Sequence, residues 1–257
     1  TLTTALTRIS TRAFRPFTIT GTPVSGSTDP AGGPEIAPDG QYTDTFGVPG
    51  QPKYYTIRRT SPGTAITVGA SAQPDFGTTA MAELRLETVD GAWCASSRFY
   101  AGTDLATASV MSGAVHVDTR GSQSDGTDTC GTAEELRLAV EVVYRGTEGV
   151  PFEMLITEFP ALADAPIPEV GQLPGWTPME ASAPQEIVPG SSFNDAAPVT
   201  PGTSYAVDVM PGEVLFFQVP ASFGQAVQMR VDSDPAQMSQ AQVDSLGNPG
   251  RLLVRNI

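Results

Sequence analysis

The chain has 257 residues and a formal net charge of −14, with only 16% of its residues charged. So acidic a balance makes nucleic acid and anionic membrane surfaces poor partners. Abundant Gly, Pro, Thr and Ser exclude a helical bundle and suit short strands joined by turns.

The length allows two domains. The chain opens without methionine and closes on RLLVRNI, which reads as part of a strand, so it is expected to be an internal piece of a longer protein. No stretch is long and apolar enough to span a membrane, and no signal peptide is seen.

Residues 1–17 read as one short amphipathic helix. Leu2, Ala5, Leu6, Ile9 and Ala13 recur at helical spacing, and Pro16 stops the pattern. A lone amphipathic helix cannot bury its stripe, so it is expected to close a preceding domain.

Residues 18–40 read as a Gly/Pro/Ser/Thr connector. The span 41–160 then carries seven candidate strands: Lys53–Arg59, Ala65–Ser71, Ala82–Val89, Trp93–Phe99, Gly113–Asp118, Glu135–Tyr144 and Phe152–Phe159. Period-2 alternation is clearest where Leu84 and Leu86 interleave with Glu83, Arg85 and Glu87. It recurs where Phe152, Met154 and Ile156 interleave with Glu153 and Leu155. Strands of this length with turn-rich spacers predict an antiparallel β-sandwich, jelly-roll-like or immunoglobulin-like. Residues 161–190 form a Pro-rich linker, which favours an extended spacer. Residues 191–257 read as a second β-sandwich module, incomplete in this chain.

The two modules share a block. YTDTFGVPGQPKYYTI from Tyr42 registers on YAVDVMPGEVLFFQV from Tyr205 when one residue is skipped near Gly47. Tyr42 falls on Tyr205, and Tyr54-Tyr55 fall on Phe216-Phe217. Self-similarity at a distance means one module used twice. The expected unit is a β-hairpin plus a strand, turned by Pro-Gly, with one aromatic of each pair in the core and the other half exposed.

Cys94 and Cys130 fit one structural disulfide in an oxidising compartment, worth about 3–4 kcal/mol, or two buried thiols. Asp118, Asp125 and Asp128 in a Gly-rich loop are calcium candidates, though the EF-hand order is absent. His116 stands alone in a strand-like GAVHVD, without a nucleophile-elbow sequence, and is expected to be buried or half-buried there. Asn194-Asp195 reads as a turn cap. Trp93, Tyr100 and Trp176 would form a binding surface if they were exposed together.

The order LTTALTRISTRAFRPF, GTPVSGSTDPAGGPEIAPDGQYTDTF, KYYTI, LRLET…WC…C, GSSFNDA and PGEVLFFQVPASFGQ resembles the region following the von Willebrand factor A domain in actinobacterial secreted or membrane-anchored surface proteins. The later part is similar to tandem pre-peptidase C-terminal β modules. The resemblance implies that the opening helix ends a von Willebrand A-like domain and that Cys94 and Cys130 are paired. The Asp-x-Ser-x-Ser metal motif of such A domains does not occur in this sequence, so no metal site carries over.

Together these features imply a non-enzymatic scaffold or protein-interaction module, exported to the cell envelope, requiring no cofactor. Its expected partners are other envelope proteins or a membrane complex. The alternative is a carbohydrate- or peptidoglycan-binding module.

Overall fold

The computed structural model describes residues 2–9, 15–75, 78–101, 110–118, 129–144, 147–160, 182–209, 213–221 and 227–233. The strands are β1 (Leu2–Ile9), β2 (Thr22–Pro23), β3 (Glu35–Ile36), β4 (Gln41–Thr45), β5 (Lys53–Arg58), β6 (Ala65–Ala72), β7 (Ala80–Thr88) and β8 (Trp93–Ala101). They continue with β9 (Met111–Val117), β10 (Glu135–Val142), β11 (Pro151–Phe159), β12 (Gln185–Glu186), β13 (Ala197–Pro198), β14 (Ser204–Val209), β15 (Phe217–Gln218) and β16 (Met229–Ser233). Among the described residues, helix is confined to a 3-10 turn at Pro30–Gly32 and to the four-residue α1 (Thr129–Thr132).

Two compact units are formed. The larger holds Phe17–Ala163 with Ser192–Asn194, and the smaller holds Thr1–Pro16, Asp164–Ser191 and Asp195–Val254.

The larger unit carries two five-stranded sheets, ordered β3-β5-β10-β7-β8 and β2-β4-β11-β6-β9. All seven expected strands are present, with ends within two residues of those read from the sequence. The sheets are mixed rather than purely antiparallel, because the short outer strands β2 and β3 run parallel to β4 and β5. Alternation explains how the sheets share one core. Tyr55, Ile57, Leu84, Leu86 and Leu138 from one sheet meet Val68, Met154 and Ile156 from the other, all fully buried. Phe46 stacks on Phe152 with ring centroids 4.5 Å apart. Each such side chain contributes about 1.5–3 kcal/mol by leaving water.

The opposite face of the first sheet holds the alternating charges. Glu83 pairs with Arg98 at 3.2 Å, Glu87 with Arg85 at 2.5 Å and with Arg137 at 3.6 Å, and Arg58 pairs with Glu135. Arg137 also lies over the Tyr54 ring at 6.0 Å.

The smaller unit has a four-stranded sheet ordered β12-β14-β1-β16 and a two-stranded sheet β13-β15. Its strand pairs run parallel.

Three expectations are corrected. Residues 2–9 are the strand β1, not a helix, and residues 10–14 lie outside the described residues. Thr3, Thr4, Thr7 and Ile9 are β-branched and stiff at χ1, and ladders to two neighbouring strands override a helical spacing that isolated segments seldom realise. Residues 18–40 are not a bare connector, since β2, β3 and the 3-10 turn pair with the first module. The repeated block is not a hairpin either, because β4 and β5 lie in different sheets, as do β14 and β15.

Candidate functional site

Period-2 alternation along β4 sets Asp44 on the same side as Tyr42 and Phe46, which pack on the core. A carboxylate there must find partners. Asp44 Oδ2 accepts from the Tyr55 hydroxyl at 2.6 Å and the Gly26 N–H at 2.8 Å. Its Oδ1 accepts from Lys53 Nζ and the Thr45 N–H, each at 2.7 Å. Lys53 is the only lysine of the chain. Burial pushes the Asp44 carboxyl up, but the Gly26 N–H, Lys53, Tyr55 and the Thr45 N–H together outweigh it and hold the group below its ordinary value. Burial, with Asp44 alongside, pushes the Tyr55 phenol far up. Gly26 is required here, since a Cβ would stand 2.7 Å from the Tyr55 ring.

The second copy shows what this cluster is for. Thr22 pairs with Tyr42 and Gln185 with Tyr205, and both 185 − 22 and 205 − 42 are 163. Glu35 pairs with Thr56 as Pro198 pairs with Gln218, and Ser27 bridges Tyr54 as Gly190 bridges Phe216. The Tyr42 hydroxyl accepts from the Ala37 N–H at 2.7 Å, as the Tyr205 hydroxyl accepts from the Thr200 N–H at 2.9 Å. The duplication therefore reaches back to Thr22 and Gln185, well before the aromatic block. Within this shared register, Gly26, Asp44, Lys53 and Tyr55 are matched by Pro189, Val207, Leu215 and Phe217. All four polar partners are exchanged together for groups that need none. The Asp44 cluster is thus an interior polar tie of the first copy, with no counterpart in the second.

A second buried carboxylate belongs to β11. Glu153 alternates with the core residues and was expected near solvent, yet it is fully buried. Its cover comes from residues distant in sequence. Oε1 accepts from the Ser71 hydroxyl at 2.9 Å and the Asn194 N–H at 3.1 Å, and Oε2 from the Thr20 N–H at 3.3 Å. Burial pushes its carboxyl up, against the opposing pull of Ser192, Asn194, Ser71 and Thr20. The SSFND motif thus closes on itself through Asp195, which accepts from the Ser191 N–H at 2.8 Å, while Asn194 is held by Glu153.

His116 is exposed on β9, not buried or half-buried as expected, because it falls on the outward phase of that strand's alternation. Its Nδ1 is 2.8 Å from the Thr67 hydroxyl and its Nε2 is 3.5 Å from Asp118. The order Thr-His-Asp has the outline of a nucleophilic triad, but Thr67 is fully buried, so its hydroxyl has no access to a substrate. Asp118 is accordingly a partner of His116. The other calcium candidates, Asp125 and Asp128, lie outside the described residues, and among the described residues no cluster of three metal-ligating side chains occurs.

Trp93 and Tyr100 are 52% and 59% exposed, on the outermost strand of their sheet. Seven residues apart, they would ordinarily face opposite ways. A register shift between Leu86 and Glu87 sets Trp93 opposite Glu87 and Tyr100 opposite Met81, which puts both rings on the charged face. Trp176 lies outside the described residues. Of the repeat aromatics, Tyr55, Tyr205 and Phe216 are buried, while Tyr42, Tyr54 and Phe217 are half-buried.

Cys94 and Cys130 form a disulfide with Cα atoms 5.6 Å apart, tying β8 to α1. Arg59 holds the same segment, donating from Nη1 to the Gly131 carbonyl at 2.8 Å and the Ala133 carbonyl at 2.6 Å. A disulfide suits an oxidising compartment. Among the described residues, no helix is long and apolar enough to cross a membrane. No family model matches the chain, and no curated protein matches it.

Proposed function

We propose that the chain is a non-enzymatic scaffold or protein-interaction part of a larger cell-envelope protein, built from β-sandwich modules of the immunoglobulin or jelly-roll kind. The observation that carries this reading is the duplication. One strand register is used twice, while the Asp44 polar tie of the first copy is replaced wholesale by apolar groups in the second. Repetition of a packed body, with its interior free to vary, is how chains build extended presenting surfaces. The disulfide supports export, and the buried Thr67 beneath His116 supports a non-catalytic role. The resemblance to the region after a von Willebrand A domain supports placing the modules beside such a domain on an actinobacterial surface.

The experiment is affinity capture from the native envelope after mild crosslinking. A discrete protein partner whose capture depends on the Arg/Glu face, tested with Arg85→Glu and Arg98→Glu, supports the reading. Capture unaffected by these substitutions overturns that face as the interface.

Trp93 and Tyr100 on one face favour a second reading, recognition of cell-wall carbohydrate by ring stacking. Glycan retention by the native chain, lost in Trp93→Ala and Tyr100→Ala, would select it.

A further inference from the structure

Among the described residues, Glu153 is held by uncharged groups only. Its carboxyl oxygens accept from the Ser71 and Ser192 hydroxyls and from the Asn194 and Thr20 N–H groups. The ladder sets Thr43 of β4 and Ser71 of β6 beside it, with Ser112 of β9 beyond. Residues 17–23 and 190–194, which supply the rest of its cover, contain no titratable side chain. Asp44 of β4 stands opposite Phe152 and so falls on the other face of the sheet. His116 of β9 shares the face of Glu153 but pairs with Thr67, in line with Thr157, farther along the ladder. Asp195 is engaged by the Ser191 N–H and hydroxyl, at 2.8 and 2.9 Å. A buried carboxylate without a countercharge is costly, and gaining a proton is the ordinary way to shed that cost.

A protonated carboxyl must donate one hydrogen bond, yet these neighbours all donate toward it. Ser71 Oγ is further occupied by the Phe193 N–H at 3.4 Å. The cluster nevertheless holds an unused acceptor. Asn194 Oδ1 is buried without a hydrogen-bond donor, while Asn194 Nδ2 donates to the Thr20 carbonyl at 2.7 Å. Thr20 Oγ1 is also buried and unbonded, but a hydroxyl can donate as well as accept, whereas an amide oxygen only accepts. The residue whose main-chain N–H touches Glu153 thus carries an oxygen lacking the very donor that a neutral Glu153 supplies.

We propose that Glu153 and Asn194 form a proton-operated clasp that holds residues 192–194 on the sheet. Glu153 takes one proton from solvent, and the new O–H donates to Asn194 Oδ1. No other covalent bond forms or breaks. The segment is held more firmly in acid than at neutral pH. Burial raises the pKa of this carboxyl against the pull of its donors, in agreement with the geometry. A raised value means that closing the clasp binds a proton. The hold is therefore strongest below the ordinary glutamate value and weakens as pH rises through the folded one. The clasp rests on this cluster alone and does not depend on the interaction-module reading.

An NMR titration of the full chain tests it. The Glu153 carboxyl carbon should titrate above the ordinary glutamate value, and the side-chain carbonyl carbon of Asn194 should move with the same midpoint. Asn194→Ala should lower that midpoint, whereas Thr20→Val, which keeps the N–H, should leave it in place. Amide exchange at Asn194, corrected for the intrinsic effect of pH, should slow in acid in the native chain and lose that dependence in Glu153→Gln. An ordinary or lowered midpoint for Glu153, or an Asn194 carbonyl that does not follow it, overturns the proposal. So does the same response to added calcium or sodium chloride at fixed pH, which would make the unmet oxygen a cation ligand. If a variant fails to fold, the native titration decides on its own.

Discussion

Asp39 and Gly202 occupy the same position in the two copies, and both hold a left-handed backbone, with φ of 56° and 83°. Each follows a proline, Pro38 and Pro201, in the turn that leads to Tyr42 and Tyr205. Proline presets the first turn position, and the next demands positive φ. At Gly202 a Cβ would meet nothing within 4 Å, so an added side chain brings backbone strain alone. Gly202→Ala should therefore destabilise its unit by about 1–2 kcal/mol. Asp39→Gly should change stability by less than about 1 kcal/mol. Relief of strain there offsets loss of the bond from the Glu158 N–H to Asp39 Oδ1 at 3.1 Å. Chemical denaturation of both variants measures this, and equal losses would refute it.

The Asp44 tie should behave as a coupled set. Asp44→Val alone strands the Tyr55 hydroxyl, the Gly26 N–H and Lys53 in a largely buried place, and should cost about 3 kcal/mol or more. Adding Tyr55→Phe and Lys53→Leu, the residues of the second copy, should recover a good part of that loss. A double-mutant cycle on Asp44 and Tyr55 should give a coupling of about 1–3 kcal/mol, and a value near zero would sink the account. The sign with pH is fixed by the lowered folded pKa of Asp44. Its contribution is present above the unfolded value near pH 3.9 and is lost as pH falls through the folded value. Asp44→Val should flatten that acid limb.

Much of the larger unit was legible because its strands alternate cleanly. Leu84 and Leu86 against Glu83, Arg85 and Glu87 announce both the core and the charged face. β2 and β3 were not legible. Two-residue strands in a Gly/Pro-rich stretch have no periodicity to read, and only long-range pairing to Tyr42 and Thr56 makes them strands. The same limit applies to β1, where helical spacing and β-branched content conflict and distant partners decide. For the candidate site, Asp44 did carry a signal, a charge in phase with Tyr42 and Phe46. Glu153 carried none, because its cover comes from Thr20 and Ser192–Asn194. The copy-wide exchange of Gly26, Asp44, Lys53 and Tyr55 emerges only once the shared register is extended back to Thr22.

The disulfide closes a long loop, with its cysteines separated by 36 in sequence, and should stabilise by about 3–4 kcal/mol through the unfolded chain. Cys94→Ser with Cys130→Ser should lower the midpoint of unfolding accordingly. The segment should still dock, because the Arg59 bonds to the Gly131 and Ala133 carbonyls do not depend on sulfur. Arg59→Met added to that double variant should then release it, read as protease cleavage near position 130. Intact mass with alkylation checks the bond itself, and two alkylated thiols in unreduced protein would contradict it.

Glu153 should give the larger unit a second pH dependence of opposite sign to Asp44. Burial raises its folded pKa above that of the unfolded chain. In the window between the two values, the folded state binds more protons, so stability falls as pH rises. The contribution is fully present below about pH 4.3, the unfolded value for glutamate, and declines as pH climbs through the raised folded value. The donors around the carboxyl moderate the shift without reversing it. Unfolding free energy measured across this range should show a decline that shrinks in Glu153→Gln. The readout is the slope, because glutamine also disturbs the N–H donors of Asn194 and Thr20 and shifts absolute stability at every pH. An unchanged slope in the variant would show that the decline belongs to other groups, and that the ionised Glu153 is held without strain by the segment that covers it.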